Sequence, residues 1–319
     1  MKSLRKHYAI ILFCLAIGAA FGSCFDLQIS KKIFSRTDSI ALFSGAFGLI
    51  PGFAVLCFFA GTLITSAFKI KQNLFLTIFL IGSCVFFILL GTYCPQEDIF
   101  GVNGYNLPDK TLLGYAIPFP IMLISAAAGY LVSSKNQPAL GSIKKADSKN
   151  RGYDTWLFTI VLLFFLSAAL LFGLFCIKKI MHRPRFRLVV FEGYAPFHAW
   201  WQRFEDYKNV LNDNTIITKE EFKSFPSGHA AMTSLLMILG MYLPIVNAGW
   251  KKAQVPVIYI GFAITIFIAY TRIRLGAHYL SDVSIGAFIM ITGAALFNET
   301  AIRLQNRFPD FFDFGPELS

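Results

Sequence analysis

WLFTIVLLFFLSAALLFGLFCIKKIMHRPRF, residues 156–186, decides how the chain is read. From Trp156 to Ile177 it carries no charge, and about 20 mostly apolar residues suffice to cross a hydrocarbon core of about 30 Å. Lys178, Lys179, His182, Arg183 and Arg185 follow at once. Charges at a span end are costly unless paired or wetted, so the cluster calls for a purpose. Taken alone, it also reads as interface cations snorkelling to headgroups.

Working outward, seven more segments have the same apolar character: Tyr8 to Cys24, Ile40 to Phe68, Leu74 to Tyr93, Leu112 to Val132, His229 to Ala248, Val255 to Thr271 and Leu280 to Phe297. The expected fold is an all-α, multi-span membrane bundle of about eight transmembrane helices. Composition agrees: of 319 residues, 55% are hydrophobic and 15% charged, and the mean hydropathy is +0.58. Soluble domains rarely combine such values. Met1 to Lys6, with the apolar run from Tyr8 to Phe21, resembles a signal peptide. Because more spans follow, it reads as an uncleaved first span. Phe21-Gly22-Ser23-Cys24 only faintly resembles a lipoprotein cleavage box, since its first position is aromatic.

The formal net charge of +11 resides in short connectors between apolar stretches, which argues against a nucleic-acid partner. Cys14, Cys24, Cys57, Cys84, Cys94 and Cys176 show no C-x-x-C spacing and read as core residues. Lys135 to Gly152 has the composition of a flexible linker. It divides a transmembrane region of about four spans, 1–152, from a catalytic core, 153–302, with a tail at 303–319. The connector from Lys178 to Gly228 carries Phe197, His198, Trp200, Trp201 and Phe204. Such aromatics suit an anchor at headgroup depth, or a substrate-selecting lid. With a cytoplasmic N-terminus, Lys2, Arg5, Lys6, the 144–151 basic stretch, Lys251 and Lys252 share the cytoplasmic side, against Lys31, Lys32, Arg36 and Lys110 opposite. That asymmetry puts the motif-bearing connectors on the extracytoplasmic side of the plasma (inner) membrane.

Two further polar segments give the cations a purpose. Phe225-Pro226-Ser227-Gly228-His229 stands before the sixth span, so its backbone N–H groups lie at a helix N-terminus, where dipole and unsatisfied donors favour an anion. His229 is placed to exchange a proton there, although a lone histidine could equally be a cap. Between the seventh and eighth spans stands TRIRLGAHYLSD, residues 271–282, with His278 and Asp282 at i and i+4. On one helix face the carboxylate can accept from the imidazole Nδ1–H, leaving the Nε2 lone pair for attack. Alone, the pair also reads as a structural closure of a helix end. A metal would need more ligands than the cluster supplies.

The three segments jointly resemble the signature of the type 2 phosphatidic acid phosphatase superfamily, shared with vanadium haloperoxidases: K-x6-R-P, P-S-G-H and S-R-x5-H-x3-D. Lys178 with Arg185, Pro226 to His229, and Arg272 with His278 and Asp282 occupy the corresponding positions. Phe186 replaces the proline after Arg185, His182 stands where glycine is frequent, and Thr271 replaces the serine before Arg272. An alternative register on Arg183-Pro184 would put Cys176 at the lysine position, and a thiol cannot hold phosphate. The resemblance covers Trp156 to Phe297. A minimal member has six spans, which makes two of the eight additions.

What the resemblance implies is a metal-independent lipid phosphatase, without cofactor, acting on a phosphatidate-like or isoprenyl diphosphate lipid in the bilayer. His278 would form a phosphohistidine, Asp282 orient it, and His229 protonate the leaving oxygen. Lys178, Arg185, Ser227, Gly228 and Arg272 would bind the phosphoryl group, and Arg183 and Arg274 would be extra cations for a second phosphate or anionic headgroup. Other readings are a lipid phosphotransferase using the same intermediate, and a transporter or non-catalytic scaffold. The lipid and the oligomeric state are left open.

Overall fold

The computed structural model describes residues 4–69, 74–101, 116–136, 155–191, 193–213, 217–246 and 248–307. The linker expected at Lys135 to Gly152 falls, beyond residue 136, outside the described residues, as does the tail from residue 308. All regular structure among the described residues is helical, with no strand.

In chain order the helices are α1 (Arg5–Ile33), α2 (Ser39–Phe47), α3 (Ile50–Lys69), α4 (Leu74–Gly101), α5 (Pro118–Asn136) and α6 (Thr155–Ala168). A π-helical turn, Ala169–Cys176, leads from α6 into α7 (Ile177–Met181). Then come α8 (Tyr207–Asp213), α9 (Gly228–Val246), α10 (Gln254–Arg274) and α11 (Leu280–Arg307). Over its described residues each expected apolar segment is helical, that from Ile40 to Phe68 as the two helices α2 and α3, but the expected count of about eight spans is not confirmed. Five helical stretches among the described residues are long and apolar enough to cross a membrane: Arg5–Ile33, Ser39–Thr65, Val161–Met181, Gly249–Arg274 and Leu280–Leu304. Thr77–Thr92, Pro118–Ser134 and Gly228–Leu243 are apolar but shorter.

The first helix extends past the apolar segment because the polar residues that continue it, Asp26 and Ser30, are buried rather than solvated. Asp38 starts α2 as its N-cap, accepting from the Ala41 N–H at 2.8 Å.

Small residues let the helices approach closely, as is common between membrane helices. A Cβ on Gly61 of α3 would stand 2.0 Å from the Ala126 carbonyl oxygen of α5, and one on Gly129 would stand 2.0 Å from that of Phe58. On α1, a Cβ at Gly22 would meet the Ser281 nitrogen of α11 at 2.5 Å, and one at Gly18 would meet the Ser284 hydroxyl at 2.6 Å. Hydroxyls also join helices: Tyr242 shares hydrogen bonds with Thr62 at 2.6 Å and Thr159 at 2.7 Å. One apolar core runs through the bundle, and a second, small cluster of Leu188, Ala195, Phe204, Ile217 and Phe222 supports the long connector.

Candidate active site

Three chain segments meet where α7, α9 and α11 begin or end. Lys178 stands on α7, which stops at His182 in a left-handed conformation, φ 47°. Such a φ disfavours a side chain with a Cβ, which explains why glycine is frequent there. His182 is held instead by stacking on Tyr207, with ring centroids 3.7 Å apart. Phe186, at the proline position, is buried against Phe34 and Tyr279.

Ser227 precedes α9 and its hydroxyl accepts weakly from the Ala230 N–H at 3.4 Å, an N-cap contact. Its own N–H donates to the Asp282 carbonyl at 3.0 Å, which ties the second motif to the third. A Cβ on Gly228 would lie 3.7 Å from the Lys178 ammonium, so this bare backbone faces the first motif. Arg272, Lys178 and Arg185 all lie close enough to His229 to act on its charge. Arg272, near the end of α10, also shapes the loop, its carbonyl accepting from Ala277 and His278 at 3.1 and 3.4 Å. The cations, the anion-favouring helix start and both histidines therefore belong to one site.

Both histidines contact a backbone carbonyl, and a carbonyl only accepts. The His278 Nδ1–H donates to the Ser224 carbonyl at 2.6 Å, which leaves the Nε2 lone pair unprotonated. The direct bond expected from His278 to Asp282 is not formed: Nδ1 and the nearer carboxylate oxygen are 3.8 Å apart. Asp282 instead accepts from the Ser224 hydroxyl at 2.5 Å, the Tyr279 N–H at 2.9 Å and Arg183 at 2.5 Å. It therefore acts on His278 by its charge at 3.8 Å and by positioning Ser224. The His229 Nε2–H donates to the Gly45 carbonyl of α2 at 3.2 Å.

Electrostatics keep His278 neutral. Burial pushes its imidazole down to about 3, and Arg272 and Lys178 act in the same direction against the pull of Asp282. Glu221 behaves in the opposite way. Burial raises it, but Arg185, Arg187 and Arg272 outweigh burial and hold the carboxyl at about 2. Glu221 pairs with Arg185 at 3.5 Å and bonds Arg187 through both oxygens.

The two arginines expected as extra cations are both engaged with carboxylates. Arg183 is fully buried, donating to Asp26 at 2.9 Å, to Asp282, to the Ser281 hydroxyl at 2.9 Å and to the His198 carbonyl at 2.8 Å. Its guanidinium also lies 4.1 Å from the centroid of the Tyr279 ring. Arg274 bonds Asp38 at 2.5 Å and the Ile33 carbonyl at 3.2 Å. Thr271 keeps the hydroxyl of the serine it replaces, accepting from Ser44 at 2.5 Å.

Sequence reading missed Asp26, Ser224, Glu221 and the Gly45 carbonyl. Asp26 alone left a signal, an acid on an apolar helix with Gly18 and Gly22 on the same face. Among the described residues no three His, Cys, Asp or Glu side chains gather as a metal site would require.

Lysine and arginine side chains, the start of α9 and two buried histidines thus meet at the ends of apolar helices, an arrangement with the chemistry to hold an anion. Residues 154–304, a little under half of the chain, match the family model of the PAP2 superfamily. That match points to a phosphatase-type, phosphoric-ester hydrolase function. No curated protein and no solved structure gave a significant match.

Proposed function

We propose that the protein is an integral membrane lipid phosphatase working through a phosphohistidine on His278. The observation that carries this reading is the hydrogen bond from His278 Nδ1–H to the Ser224 carbonyl, which presents a neutral Nε2 lone pair beside Lys178 and Arg272. Nε2 attacks phosphorus, the bond from phosphorus to the lipid oxygen breaks, and that oxygen takes the Nδ1 proton of the His229 imidazolium, whose Nε2–H stays on the Gly45 carbonyl. Water then attacks the phosphohistidine, giving its proton to His229, and inorganic phosphate leaves with His278 restored.

Charge on the equatorial phosphoryl oxygens is met by Lys178, Arg185, Arg272 and the donors of Ser227 and Gly228, so the site supplies its electrostatic stabilisation without a metal. Arg183 serves the interior of the site and not a second phosphate, because it is buried between two carboxylates. The substrate is a lipid phosphate or diphosphate reached from the bilayer. The basic connectors on the opposite side favour an extracytoplasmic site.

The test is phosphate release by purified protein from a panel of lipid mono- and diphosphates in EDTA, with acid-labile labelling of His278 by phosphate-labelled substrate. Release in EDTA that is lost in His278→Ala is expected. A requirement for added magnesium, or turnover retained in His278→Ala, would overturn the mechanism. Transfer of the phosphoryl group to an added acceptor lipid in preference to water would make the protein a phosphotransferase.

A further inference from the structure

We infer that Asp26, on the first helix and outside the family match, is a positioning residue of the active site, acting on His278 through Arg183, Asp282 and Ser224. The inference rests on the phosphatase reading for what is positioned, but the geometry is independent of it. Asp26 is 3% exposed, and a carboxylate at that depth in an apolar helix requires compensation.

The compensation is specific. One Asp26 oxygen accepts from the Ser281 N–H at 2.9 Å, one of the donors that the first turn of α11 leaves unsatisfied. The other accepts from the Ser281 hydroxyl and from Arg183. Arg183 reaches on to Asp282, and Asp282 to the Ser224 hydroxyl, whose residue holds the His278 ring by its carbonyl.

A buried aspartate–arginine–aspartate bridge therefore fixes the helix start that carries Asp282. Gly18 and Gly22, eight and four residues before Asp26, give α1 the close approach that this bridge needs. Without Asp26 the Arg183 charge faces one carboxylate instead of two, and it is free to pull Asp282 from the geometry that Ser224 and Tyr279 require.

The test uses the full chain in lipid nanodiscs. Asp26→Asn is expected to lower kcat about 10- to 100-fold, the usual scale for supporting partners of a reactive group. KM and inhibition by vanadate should stay within about twofold, because the cation cradle is untouched. In an Arg183→Gln background, Asp26→Asn is expected to add no further loss, since the two act in series. Nitrogen-15 spectra of labelled histidine should show His278 as the Nδ1–H tautomer in the wild type and a mixture of tautomers in Asp26→Asn.

A kcat within twofold of wild type, with an unchanged His278 spectrum, would overturn the inference. Wild type that releases no phosphate from any lipid phosphate defeats the phosphatase reading alone. In that case the spectrum decides on Asp26, and an unchanged tautomer refutes it. Thermal unfolding accompanies each variant. If Asp26→Asn does not fold, Ser281→Ala removes only the shared hydroxyl, and wild-type kcat there, against an expected several-fold loss, would equally refute it.

Discussion

Arg183 illustrates how a residue changes meaning between sequence and structure. In the sequence it is one more cation at a span end, whereas in the fold it is fully buried and bonded to Asp26 and Asp282. Removing one member of a buried ion group leaves the others uncompensated, at a cost of about 3–5 kcal/mol. Arg183→Met is therefore expected to lower the thermal unfolding midpoint sharply, with Arg183→Lys between it and wild type. An unchanged midpoint in Arg183→Met would show the bridge to be dispensable. His229 sits at the opposite extreme, where the chemistry outweighs the packing. General acid–base help is typically about 10²- to 10⁴-fold, so His229→Ala is expected to lose turnover on that scale while vanadate still binds. Loss of vanadate binding with turnover would instead assign His229 to the cradle. Ser224 was not legible beforehand because its role uses a backbone carbonyl, which every residue carries.

At the scale of elements, the α1–α11 pair differs from the α3–α5 pair in what it supports. Both depend on bare glycine: Gly22 lies against the Ser281 nitrogen, and Gly61 against the Ala126 carbonyl. A methyl group at either position has backbone in its way, and overpacking of this kind costs about 1–3 kcal/mol. Gly22→Ala and Gly61→Ala are both expected to lower the unfolding midpoint. Only Gly22→Ala is expected to lower kcat as well, because it displaces the start of α11, where Asp282 stands. Equal effects on kcat from both variants would contradict this division. The helix segments themselves were readable from apolar runs. Their true ends were not, because Asp26 and Ser30 look like exits from the membrane until their burial is known.

At the scale of the molecule, polar contacts tie the first two helices to the C-terminal region that carries the three motifs. Asp26 of α1 reaches Arg183, the Gly45 carbonyl of α2 holds His229, and Asp38 before α2 holds Arg274. Acid should act on the whole through Glu221, which ties the connector arginines together. Its carboxyl is held at about 2 against an ordinary 4.5. Its contribution, on the order of 3 kcal/mol, is fully present above pH about 4.5 and is lost as pH falls towards 2. The unfolding midpoint of wild type is expected to fall as pH drops from 5 to 3. Glu221→Gln, less stable at pH 7, is expected to show a shallower fall. Parallel acid profiles would remove Glu221 from that role.

What the sequence by itself determined is whatever depends on local composition and spacing. Apolar runs specify helices because the hydrocarbon leaves backbone groups no other partner. Three motifs with fixed spacing specify the family, because the same few side chains must surround one phosphoryl group. Only the tertiary structure decided which atoms carry the orientation. His278 is held by Ser224 and not by Asp282, Arg183 faces inward, and Asp26 joins the site across 255 residues of separation from Ser281. Hydrogen bonds and buried charge pairs depend on distances of a fraction of an ångström between helices remote in the chain, and spacing along a sequence does not encode those distances.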